Sequence, residues 1–345
     1  MRVDMRDNFN VKFMLALTYE AQICVKFIPD FKQASKPHSQ GHDMITQRQI
    51  DQYQEEGAIV VPGVLDEFTR KRMKSILADW VEGSRQVSAH TDLYDLEPGH
   101  SATDPRVRRI KKPHMANAVF YDFARSKALT DCLRALIGPS ARLYGSKLNL
   151  KAPGFGSPVE WHQDWAFYPH TNDDILAVGV MLDDTTVENG AMYVIPGSHT
   201  GPTYDHQGPD GYFTGGMNPE TCGVDFSKAV PCEGPAGSCS FHHVRAIHGS
   251  AQNLSDNPRG LLLYEVAAGD AFPIMGLGSA YGNYDSYRER LLYGEESVVP
   301  RFREVPVRLP LPPAKNQGSI YENQMAAGGK RFFEFVEPIA AKIST

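Results

Sequence analysis

Cysteine is scarce in this chain: Cys24, Cys132, Cys222, Cys232 and Cys239 are the only five among 345 residues. Their number is odd and no two share the short spacing of a zinc motif, which argues against a disulfide framework and points to reduced thiols in a cytoplasmic protein. No apolar run approaches the about 20 residues that a helix needs to cross a bilayer, so no membrane role is expected. Basic residues are outnumbered, 35 against 41 acidic, giving a net charge of −6. Without a basic stripe, nucleic acid is not an expected partner. Internal repeats and low-complexity tracts are missing, and the terminal Ile343-Ser344-Thr345 is not a peroxisomal address of the Ser-Lys-Leu kind.

Residues 1–43 lack an Arg-rich, acid-poor make-up and any small-residue cleavage signal after an apolar core. They are expected to be an extension, partly ordered at best. Met44 is a candidate natural start, because the structural signals begin just after it.

What is abundant is turn chemistry, with 30 glycines and 24 prolines in a chain that is 41% hydrophobic. That mixture suits a β-rich body with many loops. Thr46 with Gln49 forms a capping box, and Gly57 closes that helix ahead of a strand at Ala58–Val61. Asp66 caps a longer helix with Phe68, Met73, Ile76, Leu77 and Trp80 on one side; Ser126 opens another, which Gly138-Pro139 stops. From Ala141 onward, strands are expected near 141–151, 158–165, 175–182, 190–195, 237–243 and 259–267. Short strands at this spacing predict a mainly β jelly roll with flanking helices, as one domain over 44–345. Polar 83–106 and Gly/Pro-rich 200–235 are expected to be lid loops, and an apolar-faced helix is expected around 330–341.

Chemistry concentrates in two places. In "EWHQDWAFYPH" His162 and Asp164 stand two apart, on one face if the segment is a strand. Alone, the pair can be a buried polar accident, a catalytic couple or two-thirds of a metal site. The second cluster, "SFHHVRAIHGSAQNLSDNPRG", supplies His248, Ser250 and Arg259. Two histidines and one carboxylate on one face of a metal leave three positions open, as in the facial triad of non-haem Fe(II) oxygenases. A planar guanidinium with a hydroxyl beside it suits the far carboxylate of a 2-oxo acid.

"WHQDWAFYPHTNDDILAVGVMLDDTTVENGAMYVIPGSHTG", followed by "IHGSAQNLSDNPRG", resembles the phytanoyl-CoA dioxygenase family, which includes ectoine hydroxylases. The likeness runs from about Met44 to Pro273. It implies a double-stranded β-helix of cupin-like jelly-roll form, Fe(II) on His162, Asp164 and His248, and 2-oxoglutarate as co-substrate. Arg259 and Ser250 map to the co-substrate carboxylate, and Asn149 and Gln163 map to further co-substrate contacts. The implied reaction uses O2, releases succinate and CO2, and hydroxylates an unactivated carbon of a small-molecule substrate. A carboxylate at 164 argues for hydroxylation, desaturation or ring formation over halogenation, which in related enzymes goes with a small residue there.

Other residues draw blander expectations. Lys111, Lys112 and Lys147 read as solvated, His199 and His170 as turn and loop residues, and Arg245 as a surface cation. His242 and His243 alternate, so at most one faces a pocket. Trp161, Trp165 and Phe167 are expected to pack behind the ligand pair, with Phe167 or Tyr168 as the alternative for substrate contact. Two readings from other classes use the same residues: a metal-binding jelly roll without oxygenase activity, and a zinc hydrolase. The substrate and the oligomeric state are not written in the sequence.

Overall fold

The local signals act where the sequence puts them. Thr46 accepts the Gln49 backbone N–H at 3.3 Å, while the Gln49 side chain accepts the Thr46 N–H at 2.9 Å, opening a helix over Gln47–Glu56. Gly57 ends it at φ +78°, a conformation that costs other L-residues about 1–2 kcal/mol. A β-carbon there would also fall 2.4 Å from the His199 ring. Gly57→Ala is therefore expected to destabilise the fold by about 2–4 kcal/mol, read as a lowered urea midpoint at unchanged slope. Asp66 and Ser126 cap the helices Glu67–Gly83 and Lys127–Ile137 through backbone N–H groups three residues on.

The structure, a computed structural model, describes residues 44–308, 314, 320–326 and 331–333. The expected extension over 1–43 and most of the expected helix at 330–341 lie outside them. No helix among the described residues is long and apolar enough to cross a membrane.

Twelve strands follow in chain order: β1 (Ala58–Val61), β2 (Tyr94–Leu96), β3 (Val107–Lys111), β4 (Ala141–Lys151), β5 (Val159–His162), β6 (Ile175–Met181), β7 (Met192–Val194), β8 (Val230–Cys232), β9 (Cys239–His243), β10 (His248–Ser250), β11 (Arg259–Ala268) and β12 (Leu291–Tyr293). The large sheet has the order β1-β9-β6-β11-β4-β3-β2, with β12 also paired to β4; the small sheet is β5-β10-β7-β8. Every pairing is antiparallel.

The large sheet is covered on both faces, so its strands read as continuous apolar runs. Leu262, Tyr264 and Val266 of β11 and Leu176, Val178 and Val180 of β6 face the helices, in one core with Met73, Leu77, Phe120, Leu129 and Leu133. The alternate residues, among them Ala177, Leu261, Leu263 and Glu265, line a cavity toward the small sheet. Two sheets enclosing a cavity, with helices outside, make the jelly roll that was expected.

Three expectations need correction. The segment 83–106 is not a free lid, because it contains β2 with Tyr94 and Leu96 in the core and Asp95 buried. Scattered polar residues hid it: Asp95 is buried because Arg109 and Lys111 neutralise it. The strand expected over 158–165 stops at His162, and Asp164–Ala166 forms a 3-10 turn. Within 200–235 the chain is mostly loop but includes the short turn Phe226–Lys228 and β8.

Candidate metal centre

His162 ends β5, and His248 begins β10 directly opposite it in register. Each imidazole is oriented by its own strand. His162 Nδ1 donates to the Glu160 carbonyl at 2.8 Å, and His248 Nδ1 donates to the Ala246 carbonyl at 3.0 Å. A carbonyl only accepts, so the proton sits on Nδ1 and the lone pair on Nε2. Both Nε2 atoms face one oxygen of Asp164: Oδ1 is 3.7 Å from His162 and 4.0 Å from His248. The 3-10 turn achieves what a continued strand was expected to do, placing Asp164 on the same cavity as His162.

All three side chains are buried, and their donor atoms lie within 4.8 Å of one another. Burial holds His162 down to about 4 and His248 well below its ordinary value, so both are neutral ligands near pH 7. Burial by itself would raise Asp164, but the groups around it, His242 and the Lys147 ammonium among them, more than reverse that and hold it well below the ordinary carboxylate value. Two neutral imidazoles and one carboxylate, with room on the cavity side, are a donor set that fits Fe(II). Phe167 stands edge-on to the His162 ring at 5.7 Å, so it shields the ligands and does not pack behind them as expected.

Arg259, at the start of β11, lines the same cavity and is 3% exposed. Its Nη2 donates to the Gly190 carbonyl at 2.7 Å, while Nε has no partner among the described residues. Gly190 is required here: at φ +84° a β-carbon would lie 2.9 Å from both the Ala251 carbonyl and the Lys151 side chain. Burial lowers the Arg259 guanidinium only to about 10, so it stays charged. Ser250 and Asn149 also line the cavity, and the side-chain Oδ1 of Asn149 is buried without a partner among the described residues.

Gln163 does not join them. Its amide donates to the carbonyls of Pro202 and Arg245 and accepts from Tyr204 N–H at 2.8 Å, so it braces the outside of the turn. Successive residues of an extended segment point to opposite sides, and His162 takes the inner one. Arg245 is likewise structural, paired with Asp173 at 3.1 Å. His199 bonds to the Gln54 carbonyl at 3.2 Å, and His170 bonds to the Tyr168 carbonyl at 2.8 Å.

Four further residues line the cavity; the sequence did not single out Lys151 and Tyr321, and it left Lys147 as a solvated lysine and His242 as one of an alternating pair. Lys147 is not solvated: it points inward from β4 and pairs with Glu265 at 2.9 Å. Lys151 stands opposite Arg259 in register, and burial followed by the Arg259 charge lowers it well below the ordinary lysine value. His242 turns out to be the inward member of its pair. Tyr321, from the helix Ile320–Ala326, closes one side and lies under the Arg108 guanidinium. For Lys147, Asn149 and Lys151 the available signal was their two-residue spacing along one strand.

A sequence model of the family described as phytanoyl-CoA dioxygenase matches residues 53–261. A probable alpha-ketoglutarate-dependent hypophosphite dioxygenase of Stutzerimonas stutzeri is 37% identical over 271 residues, 77% of this chain and 93% of that protein. An L-proline trans-4-hydroxylase of Streptomyces griseoviridis is 31% identical over 188 residues, 49% of this chain and 68% of that one. Among solved structures, EctD from S. alaskensis with 2-oxoglutarate and 5-hydroxyectoine is similar in fold, with TM-score 0.55 and 20% identity over 77% of this chain and 90% of that chain.

Proposed function

The chain belongs to the phytanoyl-CoA dioxygenase family and is an Fe(II)- and 2-oxoglutarate-dependent dioxygenase of small molecules, and from that premise we propose that His162, Asp164 and His248 hold the iron. Arg259, together with Ser250 of the same cavity, takes the far carboxylate of 2-oxoglutarate, and Asn149 supplies a further polar contact. The observation that carries this assignment is the convergence of three buried donor atoms within 4.8 Å, in a cavity whose far end carries a charged arginine.

When bound, the metal and co-substrate supply dioxygen activation and the electrons released as 2-oxoglutarate becomes succinate and CO2. The chain's own residues do the rest. The carbonyls of Glu160 and Ala246 fix the imidazole tautomers, so both lone pairs point the same way without reorganisation. The Gly190 carbonyl holds Arg259 in place, so little of its freedom is lost when the carboxylate arrives. Phe167, Leu261, Leu263 and Tyr321 exclude water, which strengthens charge interactions inside and protects the oxidising step from solvent. The zinc and binding-protein readings leave a buried, charged Arg259 without a task.

Anaerobic titration with Fe(II) and 2-oxoglutarate tests the assignment. A chelate in which both share one site is expected to give a saturable, weak visible absorption band. Iron bound without any band would mean that Arg259 does not anchor the co-substrate.

A further inference from the structure

The inner face of the large sheet carries a second polar group that the co-substrate does not use. His242, Ala177 and Glu265 stand in one row across β9, β6 and β11. Two strand spacings, roughly 10 Å, separate the backbones at its ends. Ala177 contributes only a methyl group to the middle. Gly145, beyond Glu265 in the same row, has no side chain, and a β-carbon there would fall 2.5 Å from Glu265 Oε2. The result is a small floor in the triad's cavity, with His242 on one side and Glu265 and Lys147 on the other.

The polar groups around this floor are unspent. His242 is 1% exposed, and neither ring nitrogen has a hydrogen-bond partner among the described residues. A buried group left so costs stability unless something arrives to pair with it. Lys147 uses one of its three donors on Glu265, which holds the ammonium in place and leaves two for a guest. Burial would lower Lys147, but Glu265 and Asp164 more than offset it and keep it charged. Arg259 and Lys151 face each other far from this row, six residues along β11 from Glu265 and on the order of 20 Å of backbone away. The cavity therefore has two cationic ends, and the co-substrate accounts for one.

We propose that the floor between His242 and Lys147 is the substrate seat, and that it takes a small molecule carrying an oxyanion. This rests on the reading of the triad as the iron site and of Arg259 as the co-substrate anchor. An oxyanion accepts from the Lys147 ammonium and from a ring N–H of His242, both charge-assisted contacts. The seat adjoins the ligand set, with His242 Nε2 3.6 Å from Asp164 Oδ2, so a seated guest presents its X–H bond beside the metal position. One atom of O2 enters succinate, the other turns X–H into X–OH, and CO2 leaves from 2-oxoglutarate, which supplies the two electrons. X is phosphorus in hypophosphite and carbon in an amino-acid carboxylate; the anion is the shared chemistry.

The test uses the full chain loaded anaerobically with Fe(II) and 2-oxoglutarate, with hypophosphite and L-proline as separate probes. At least one probe is expected to shift the visible band saturably and, once O2 is admitted, to drive succinate release. Phosphite or hydroxyproline among the products identifies which atom is oxidised. His242→Phe, and separately the double change Lys147→Met with Glu265→Met, are expected to weaken that probe by about tenfold or more. The double change removes the pair together, so no buried charge is stranded. Half-saturation by 2-oxoglutarate stays within about threefold in both variants, and His242→Asn recovers part of the loss. The proposal is overturned if neither probe perturbs the wild-type complex at about 10 mM, a weak-binding limit of about −3 kcal/mol. It is equally overturned if the variants weaken 2-oxoglutarate as much as the probe. A wild-type chain that gives no band at all sinks the iron reading first, and the seat with it.

Discussion

Asp164→Ala is expected to abolish turnover and to lower Fe(II) affinity by more than the about 100-fold that removing an outer-shell partner of a metal site costs. The reason is geometric. His162 and His248 point their lone pairs at one carboxylate oxygen, and without it two imidazoles remain on a site built for three donors. Asp164 also carries the only negative charge among the three ligands, so its loss removes the Coulombic part of the affinity for a dication. Anaerobic calorimetry with Fe(II) measures the change, with circular dichroism confirming that the fold persists. His162→Ala is expected to behave alike. Unchanged iron affinity in either variant would mean that the metal sits elsewhere.

Arg259→Ala is expected to separate the two halves of the site. Iron affinity stays within about threefold of wild type, because Arg259 contacts none of the ligands, while half-saturation by 2-oxoglutarate rises by about 100-fold or more. The size follows from losing a buried guanidinium that donates in parallel to a carboxylate; two charge-assisted bonds of about 1.5–3 kcal/mol each are at stake. Arg259→Lys is expected to recover little, since an ammonium cannot reproduce the planar fork. Steady-state succinate release against 2-oxoglutarate concentration reads the shift. A fall in iron binding equal to the fall in co-substrate binding would show that Arg259 supports the fold of the site and does not anchor the co-substrate.

The sequence made the helix ends and the chemistry legible, for different reasons. A cap is a local event: Thr46 and Gln49, Asp66, Ser126 and Gly57 act on backbone groups within four residues, so no tertiary knowledge was needed. His162, Asp164, His248 and Arg259 were legible because their residue types are rarely buried without a task, and because the family's motifs fix their spacing. Gln163 was misplaced since position in a motif does not say on which side of the strand an amide falls. Lys147 was read as solvated and His242 was left undecided against His243 because a charged or imidazole side chain at an inward position looks the same in sequence as one at an outward position; only the register of β4 against β11, and of β9 against β6, decides. β2 was hidden because its central residue is an aspartate buried by cations that arrive from β3.

Tyr321 carries a consequence for how such enzymes diverge. The residues proposed as metal ligands and the arginine proposed for the co-substrate all lie within residues 53–261, the stretch that matches the family. One wall of the same cavity, however, is contributed by Ile320 and Tyr321, far beyond it in the chain. That wall is tied down by contacts of its own: the Gln324 side chain donates to the Gly215 carbonyl and accepts the Glu160 N–H, and Glu322 meets His90. The triad and one wall of its cavity are thus encoded in separate stretches of one polypeptide. Drift in the distal stretch can reshape that wall without touching the triad, so relatives that share an unaltered triad are free to part company over which molecule fits beside it.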